Sequence, residues 1–170
     1  MNQLSILPVT GNKAIETAAA LAADIWREHY TPIIGKPQVE YMIANFQSKE
    51  AIARQIKEGY IYYLARDTQG ADIGYFAVVP KEKELFLSKI YLVCAARGKG
   101  YARQMLEFIK ALARERNLPR ITLTVNKNNH NSIKAYQKMG FTITASLVTD
   151  IGHGFVMDDY AMELKLGDRE

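Results

Sequence analysis

The sequence predicts a mixed α/β domain, of the α+β kind, built around one sheet. Three observations lead there. Residues 60–93 hold three β-rich runs joined by short turns, which argues antiparallel pairing. Before them lie stretches with helical periodicity. After residue 98 strands and helices alternate. A chain of 170 residues suits a single domain over 1–170 and can bury a core.

Taken in order, "QLSIL" reads as a short first strand. A helix follows, because Ile15, Ala18, Ala19, Ala22, Ile25 and Trp26 recur at helical spacing. "HYTPIIGKP" is expected to break it, since Pro32, Gly35 and Pro37 all end helices. Pro37 suits the first turn of a second helix through "QVEYMIANF". "SKEAIARQIKEG" is a further helical stretch, capped by Ser48 and closed by Gly59. "YIYYLARD", "IGYFAVVP" and "ELFLSKIYLV" are the three strands, with a turn around Gly70. A long helix runs from Gly98 with Ala102, Met105, Leu106, Ile109, Leu112 and Ala113 on its apolar face, and Asn117 and Pro119 end it. "RITLTV" is a strand, "NNHNSIKAYQKM" a helix with Gly140 as its C-terminal cap, and "FTITASLV" and "FVMDDYAMEL" are the last strands. The expected order is β-α-α-β-β-β-α-β-α-β-β.

Composition narrows the class. Hydrophobic residues at 48% and charged residues at 24% are those of an ordinary soluble domain. No apolar run is long enough to span a bilayer, so no membrane partner is expected. "MNQLSILPVTGNK" lacks a basic leader followed by an apolar stretch, and Cys94, as the one cysteine, forms no internal disulfide; both fit a cytoplasmic protein. Cys94 itself is expected as a small buried residue rather than a nucleophile, because no His or Asp lies near it in sequence. His29, His130 and His153 show no metal-ligand spacing, so no metal is expected. The net charge of +4 admits a nucleic-acid partner, but the cations cluster: Arg97, Lys99 and Arg103, then Lys127, Lys134 and Lys138. A local cluster suits a polyanionic small ligand better than a DNA track, and no nucleic acid is expected.

"ARGKGYARQML", from Ala96 to Leu106, puts two glycines and three cations where a strand gives way to a helix. The first amides of a helix lack intrahelical partners and carry partial positive charge. Backbone N–H groups of Lys99, Gly100, Tyr101 and Ala102 can therefore cradle a pyrophosphate, and glycine allows its close approach. The P-loop string G-x-x-x-x-G-K-[ST] is absent. A dinucleotide G-x-G-x-x-G fails because Arg103 stands at the third glycine, and three antiparallel strands precede the loop.

The pattern that is met is [QR]-x-x-G-x-[GA], as Arg97-Gly98-Lys99-Gly100-Tyr101-Ala102. It resembles the coenzyme A loop of the GNAT family, the GCN5-related N-acetyltransferases. "NNHNSIKAYQKMGF" is similar to a second segment of that family, with Asn129, Tyr136, Lys138, Gly140 and Phe141 in its places. The two segments are separated by one helix and one strand, as the resemblance requires. It implies a mixed, mostly antiparallel sheet splayed between the fourth and fifth strands and flanked by about four helices. It implies acetyl-CoA as co-substrate, its pantetheine arm paired with backbone of Leu92 and Val93. Arg97, Gly98, Lys99, Gly100, Tyr101 and Ala102 would hold the pyrophosphate, Asn129 the pantetheine or phosphates, and Lys138 the 3′-phosphate; Lys134 reads as solvated.

The implied activity is acetyl transfer to a primary amine of a small molecule, a di- or polyamine among them, or of a peptide, in a direct ternary complex. A strand amide near Leu92 would bind the oxyanion, and Tyr136 would donate a proton to the departing thiolate. The general base stays open among Glu28, His29, Tyr30, Asp159 and water. Glu28, Tyr30 and Asp159 are the acceptor-binding candidates, with Asp158 extending an acidic mouth and Trp26, Tyr30 and Tyr41 an aromatic wall; Trp26 is equally a core residue. The resemblance also admits a homodimer. A non-catalytic acetyl-CoA-binding sensor is the main rival, and a nucleic-acid binder the weaker one.

Overall fold

The structure, a computed structural model, describes residues 3–167. Seven strands form one sheet: β1 (Ser5–Pro8), β2 (Ile61–Arg66), β3 (Asp72–Pro80), β4 (Leu85–Leu92), β5 (Arg120–Asn126), β6 (Thr142–Gly152) and β7 (Phe155–Lys165), in the order β1-β2-β3-β4-β5-β7-β6. Every neighbouring pair is antiparallel except β4 and β5, which are parallel. The helices are α1 (Asn12–Ile34), α2 (Lys36–Met42), α3 (Lys49–Lys57), α4 (Tyr101–Glu115) and α5 (His130–Lys138).

The two faces of the sheet carry separate cores. On one, Met105, Leu106, Ile109 and Leu112 of α4 and Ile133 of α5 pack against Phe76, Leu85, Leu87 and Ile121. On the other, Ala18, Ala22, Ile25 and Trp26 of α1, with Val39 and Ile52 from α2 and α3, pack against Tyr62, Tyr75 and Ala77. β3, central and covered on both faces, is accordingly apolar along most of its length.

β4 positions the site. Its pairing with β5 is confined to Leu85–Ile121 and Phe86–Thr122, and beyond these the strands diverge. There its register against β3 also slips: Val78 stands opposite Leu87 but Ala77 opposite Lys89, leaving Ser88 as the extra residue of a bulge. A bulge reverses the alternation that follows it. Leu85 and Leu87 face the α4 core, whereas Lys89 and Tyr91 turn to the α1–α3 side.

Three details differ from the sequence expectations. Helix α1 continues through Pro32. In its last turn a proline removes the bond to the Glu28 carbonyl and leaves little helix beyond to disrupt. Gly35, at φ 86°, is what ends it, its amide donating to Thr31 O at 3.0 Å. Five helices are present where the expected order writes four: the two stretches expected within residues 36–57 are separate helices, divided by a π-helical turn (Ile43–Gln47) before Ser48, whose hydroxyl accepts from the Ala51 amide at 3.1 Å. Finally, Cys94 is exposed, not buried: it starts the one-turn helix Cys94–Ala96 that carries the chain out of the sheet.

Candidate active site

The divergence of β4 and β5 opens three connected spaces. On the α4–α5 side lies a cleft of about 620 Å³, lined by the glycine turn, the end of β4 and α5. On the α1–α3 side lies a cavity of about 260 Å³. Between them, in the strand gap, is a pocket of about 20 Å³. Tyr91 lines all three, and Tyr136 lines both the gap and the cleft.

The cleft has the features of an anion cradle. Gly98 and Gly100 have φ of 76° and 85°, a region that L side chains enter at a cost. Gly100 is the N-cap of α4, so the amides of Tyr101, Ala102 and Arg103 have no helical partner and point out of its positive end. Arg97, Arg103 and Lys138 also line the cleft. The Tyr101 ring is buried in the α4 core, so that residue offers backbone only. Lys99 and Lys134 are exposed and outside the lining, and Lys127 is taken up by Asp158 at 2.7 Å.

Backbone geometry separates Leu92 from Val93. The Val93 amide donates to Ile73 O at 2.9 Å, which makes Gly74–Leu92 a pair without mutual hydrogen bonds. The amide and carbonyl of Leu92 therefore face away from β3, into the gap. Arg97 Nε already donates to that carbonyl at 3.1 Å. The Val93 amide is thus already paired within the sheet, whereas the expectation had the backbone of Leu92 and Val93 acting together; of the two amides only that of Leu92 is turned into the gap.

At the junction stands a polar cluster from three elements. Tyr30 and Tyr91 hydroxyls lie 3.3 Å apart, Asn129 Nδ2 donates to Tyr30 at 3.4 Å, and Asn129 Oδ1 meets His29 Nε2 at 3.2 Å. With the amide oxygen as acceptor, Nε2 of His29 carries the proton and Nδ1 keeps its lone pair. Burial lowers the His29 pKa, and Arg97 adds to that. Burial raises the pKa of Tyr30, Tyr91 and Tyr136, so all three keep their protons. Among the described residues the Tyr136 hydroxyl makes no hydrogen bond, and its ring packs edge-on against Phe141 at 5.7 Å.

The smaller cavity is walled by Trp26, Tyr30, Phe46, Tyr60, Phe86 and Tyr91, with Asp159 and Lys89 as its charged groups. Asp159, on β7 opposite Asn126, is 6% exposed. Desolvation, with the charge of Asp158 behind it, pushes its pKa up to about 6, and Lys127 opposes. The expected acidic mouth is not assembled: Glu28 lines the larger cleft, Asp158 faces solvent and Asp159 lines the cavity. Trp26 is core and wall at once, stacked on Tyr30 at 4.3 Å, while Tyr41 grips the β6–β7 hairpin by donating to Ile151 O at 2.5 Å. The sequence reading missed Lys89 and Tyr91. A lysine inside the apolar run "FLSKIYL" was the available signal.

Comparison with known proteins converges with this geometry. The model of the acetyltransferase (GNAT) family matches residues 20–141. The uncharacterized N-acetyltransferase YdgE of Bacillus subtilis (strain 168) is 32% identical over 108 residues, which is 58% of this chain and 68% of that protein. The crystal structure of PaiA N-acetyltransferase from Thermoplasma acidophilum, in complex with coenzyme A, superposes with a TM-score of 0.80 at 20% identity, over 96% of this chain and 99% of that one. The spermidine N-acetyltransferase of Vibrio cholerae, in complex with CoA and spermine, gives 0.69 at 16% identity, over 96% and 95%.

Proposed function

The chain belongs to the acetyltransferase (GNAT) family, and on that premise we propose that it moves an acetyl group from acetyl-CoA to a primary amine of a small molecule, in one step through the β4–β5 gap. The observation that carries this reading is the cleft and the cavity on either side of the strand gap, with Tyr91 lining all three spaces and Tyr136 the gap and the cleft. The cleft with its bare amides and cations suits the pyrophosphate and 3′-phosphate of coenzyme A. The cavity of about 260 Å³ suits a small acceptor better than a folded protein substrate.

Each residue then has a task. The turn from Arg97 to Ala102 holds the pyrophosphate, and Lys138 the 3′-phosphate. Leu92 turns its amide toward the gap and takes up the negative charge that builds on the carbonyl oxygen. An ammonium with a pKa near about 10 must lose a proton before it attacks. Asp159, half ionised near pH 6, both attracts the ammonium and offers a route for that proton. Tyr136, with its proton retained and no hydrogen-bond partner among the described residues, donates to the departing sulfur. Asn129, buried beneath His29 and Tyr30, fixes the start of α5 and so the direction of Tyr136.

The test is a screen of primary amines with acetyl-CoA, read by free thiol and by product mass. Thiol release that depends on amine and matches acetylated product supports the reading. Tight coenzyme A binding with no product from any amine class favours a sensor. Cys94→Ala should keep most of the activity, since Cys94 is exposed and outside the lining of the gap. An acetyl group found on Cys94 and chased by amine would replace one-step transfer with a covalent route.

A further inference from the structure

Lys89 is a buried amine for whose charged form the described residues supply no anion. It is 7% exposed, and the bulge at Ser88 turns it from the α4 core to the wall of the acceptor cavity. Its ammonium donates to Phe46 O at 2.8 Å, to Gln55 Oε1 at 2.9 Å and to the Tyr62 hydroxyl in a short contact. All three acceptors are neutral. Among the described residues no carboxylate lies within ion-pair distance of it, although eight other ion pairs are formed.

A buried ion without a counter-charge costs several kcal/mol, and a methionine of similar length fills the same space without that cost. The hydrogen-bond scaffold does not need the lysine either. Tyr62 donates to Gln55 Oε1 at 2.5 Å, and Gln55 Nε2 donates to Phe46 O at 3.1 Å, so these groups bond one another. The charge thus has no counter-ion among the described residues. Lys89 lines the same space as Asp159, which stands across the strand gap on β7, and among the described residues no other carboxylate lines that space.

Resting on the acetyl-transfer reading, we propose that the acceptor is an amino acid in the broad sense: an amine directed to Asp159 that also bears a carboxylate, held against Lys89. One wall attracts an ammonium and the other an anion, with aromatic rings between. A diamine meets like charge at Lys89 and is selected against. Burial lowers the Lys89 pKa to about 7, so a bound carboxylate also draws a proton onto it.

Three acceptors of equal reach decide the matter: 5-aminopentanoate, pentylamine and 1,5-diaminopentane. Binding to the coenzyme A-saturated protein is measured by calorimetry, and kcat/KM by thiol release, for wild type, Lys89→Met and Lys89→Arg. The aminocarboxylate should bind best and the diamine worst, with about tenfold or more between them. Lys89→Met should erase the advantage of the aminocarboxylate over pentylamine, and Lys89→Arg should retain part of it. Equal or tighter binding of the diamine overturns the proposal, as does a Lys89→Met variant that only loses thermal stability and keeps the wild-type order. Preferred binding of the aminocarboxylate without acetylation sinks the acetyl-transfer reading and leaves the Lys89 site in place.

Discussion

Arg97 Nη2 stands 2.8 Å from Glu28 Oε1, so the arginine that opens the glycine turn is held by a carboxylate of α1. Glu28 and Arg97 both line the larger cleft, and a pyrophosphate on the turn would compete with the carboxylate for the guanidinium. The pair is partly exposed, at 45% and 34%, and its contribution is correspondingly small.

Glu28→Gln should therefore tighten coenzyme A binding by no more than about fivefold, the ceiling for an exposed pair of about 1 kcal/mol. The gain should shrink as salt is raised. Calorimetry at two ionic strengths checks it, and weaker binding in the variant would contradict the competition.

Gly100→Glu should abolish coenzyme A binding in a chain that still folds. At φ 85° a side chain costs about 1–2 kcal/mol in backbone strain, which a domain of this size survives. The carboxylate, by contrast, would occupy the positive end of α4 where the phosphates belong. A melting curve and a titration on the same sample separate the two effects. Wild-type affinity in the folded variant would remove the turn from the binding site.

Asp159 should make both activity and stability depend on pH. Its folded-state pKa of about 6 lies above the usual carboxylate value. In the window between, the folded chain keeps a proton that the unfolded chain has lost, so this residue's contribution to stability falls as pH rises from about 4 to 6. Asp159→Asn should thus melt higher than wild type at pH 8, by a gain on the order of 1–3 kcal/mol, and show no such gain below pH 4. Its kcat/KM should be lower and should lack the acid limb near pH 6 that wild type shows. Melting and rate profiles over pH 4–9 test both, and an unchanged acid limb in the variant would take Asp159 out of the reaction.

How far the sequence could be read follows from the range of the interactions involved. Helix α4 and the glycine turn are local: apolar spacing, a cap and two glycines lie within a few residues, and the turn emerges where expected, with the helix starting at Tyr101 rather than at Gly98. The antiparallel run β2-β3-β4 is likewise written in short turns. The bulge at Ser88 is not, because it exists only in the register between β3 and β4, and it alone decides that Lys89 and Tyr91 face the acceptor cavity. The same holds for Asp158 and Asp159, adjacent in sequence but sent to solvent and to the cavity by the pleat of β7. Pro32 was misleading because a helix breaker near the last turn has little helix left to break.

The proposed transfer takes place in the gap lined by Tyr91 and Tyr136, with the Tyr136 hydroxyl serving the leaving sulfur. Tyr136→Phe keeps the ring against Phe141 and removes only a hydroxyl that has no hydrogen-bond partner among the described residues. The measurement is kcat at saturating acetyl-CoA and amine, taken with coenzyme A affinity and melting temperature on the same preparation. The expected result is a fall in kcat of about 10²–10⁴-fold with affinity and stability nearly unchanged. A variant that turns over at the wild-type rate would contradict it.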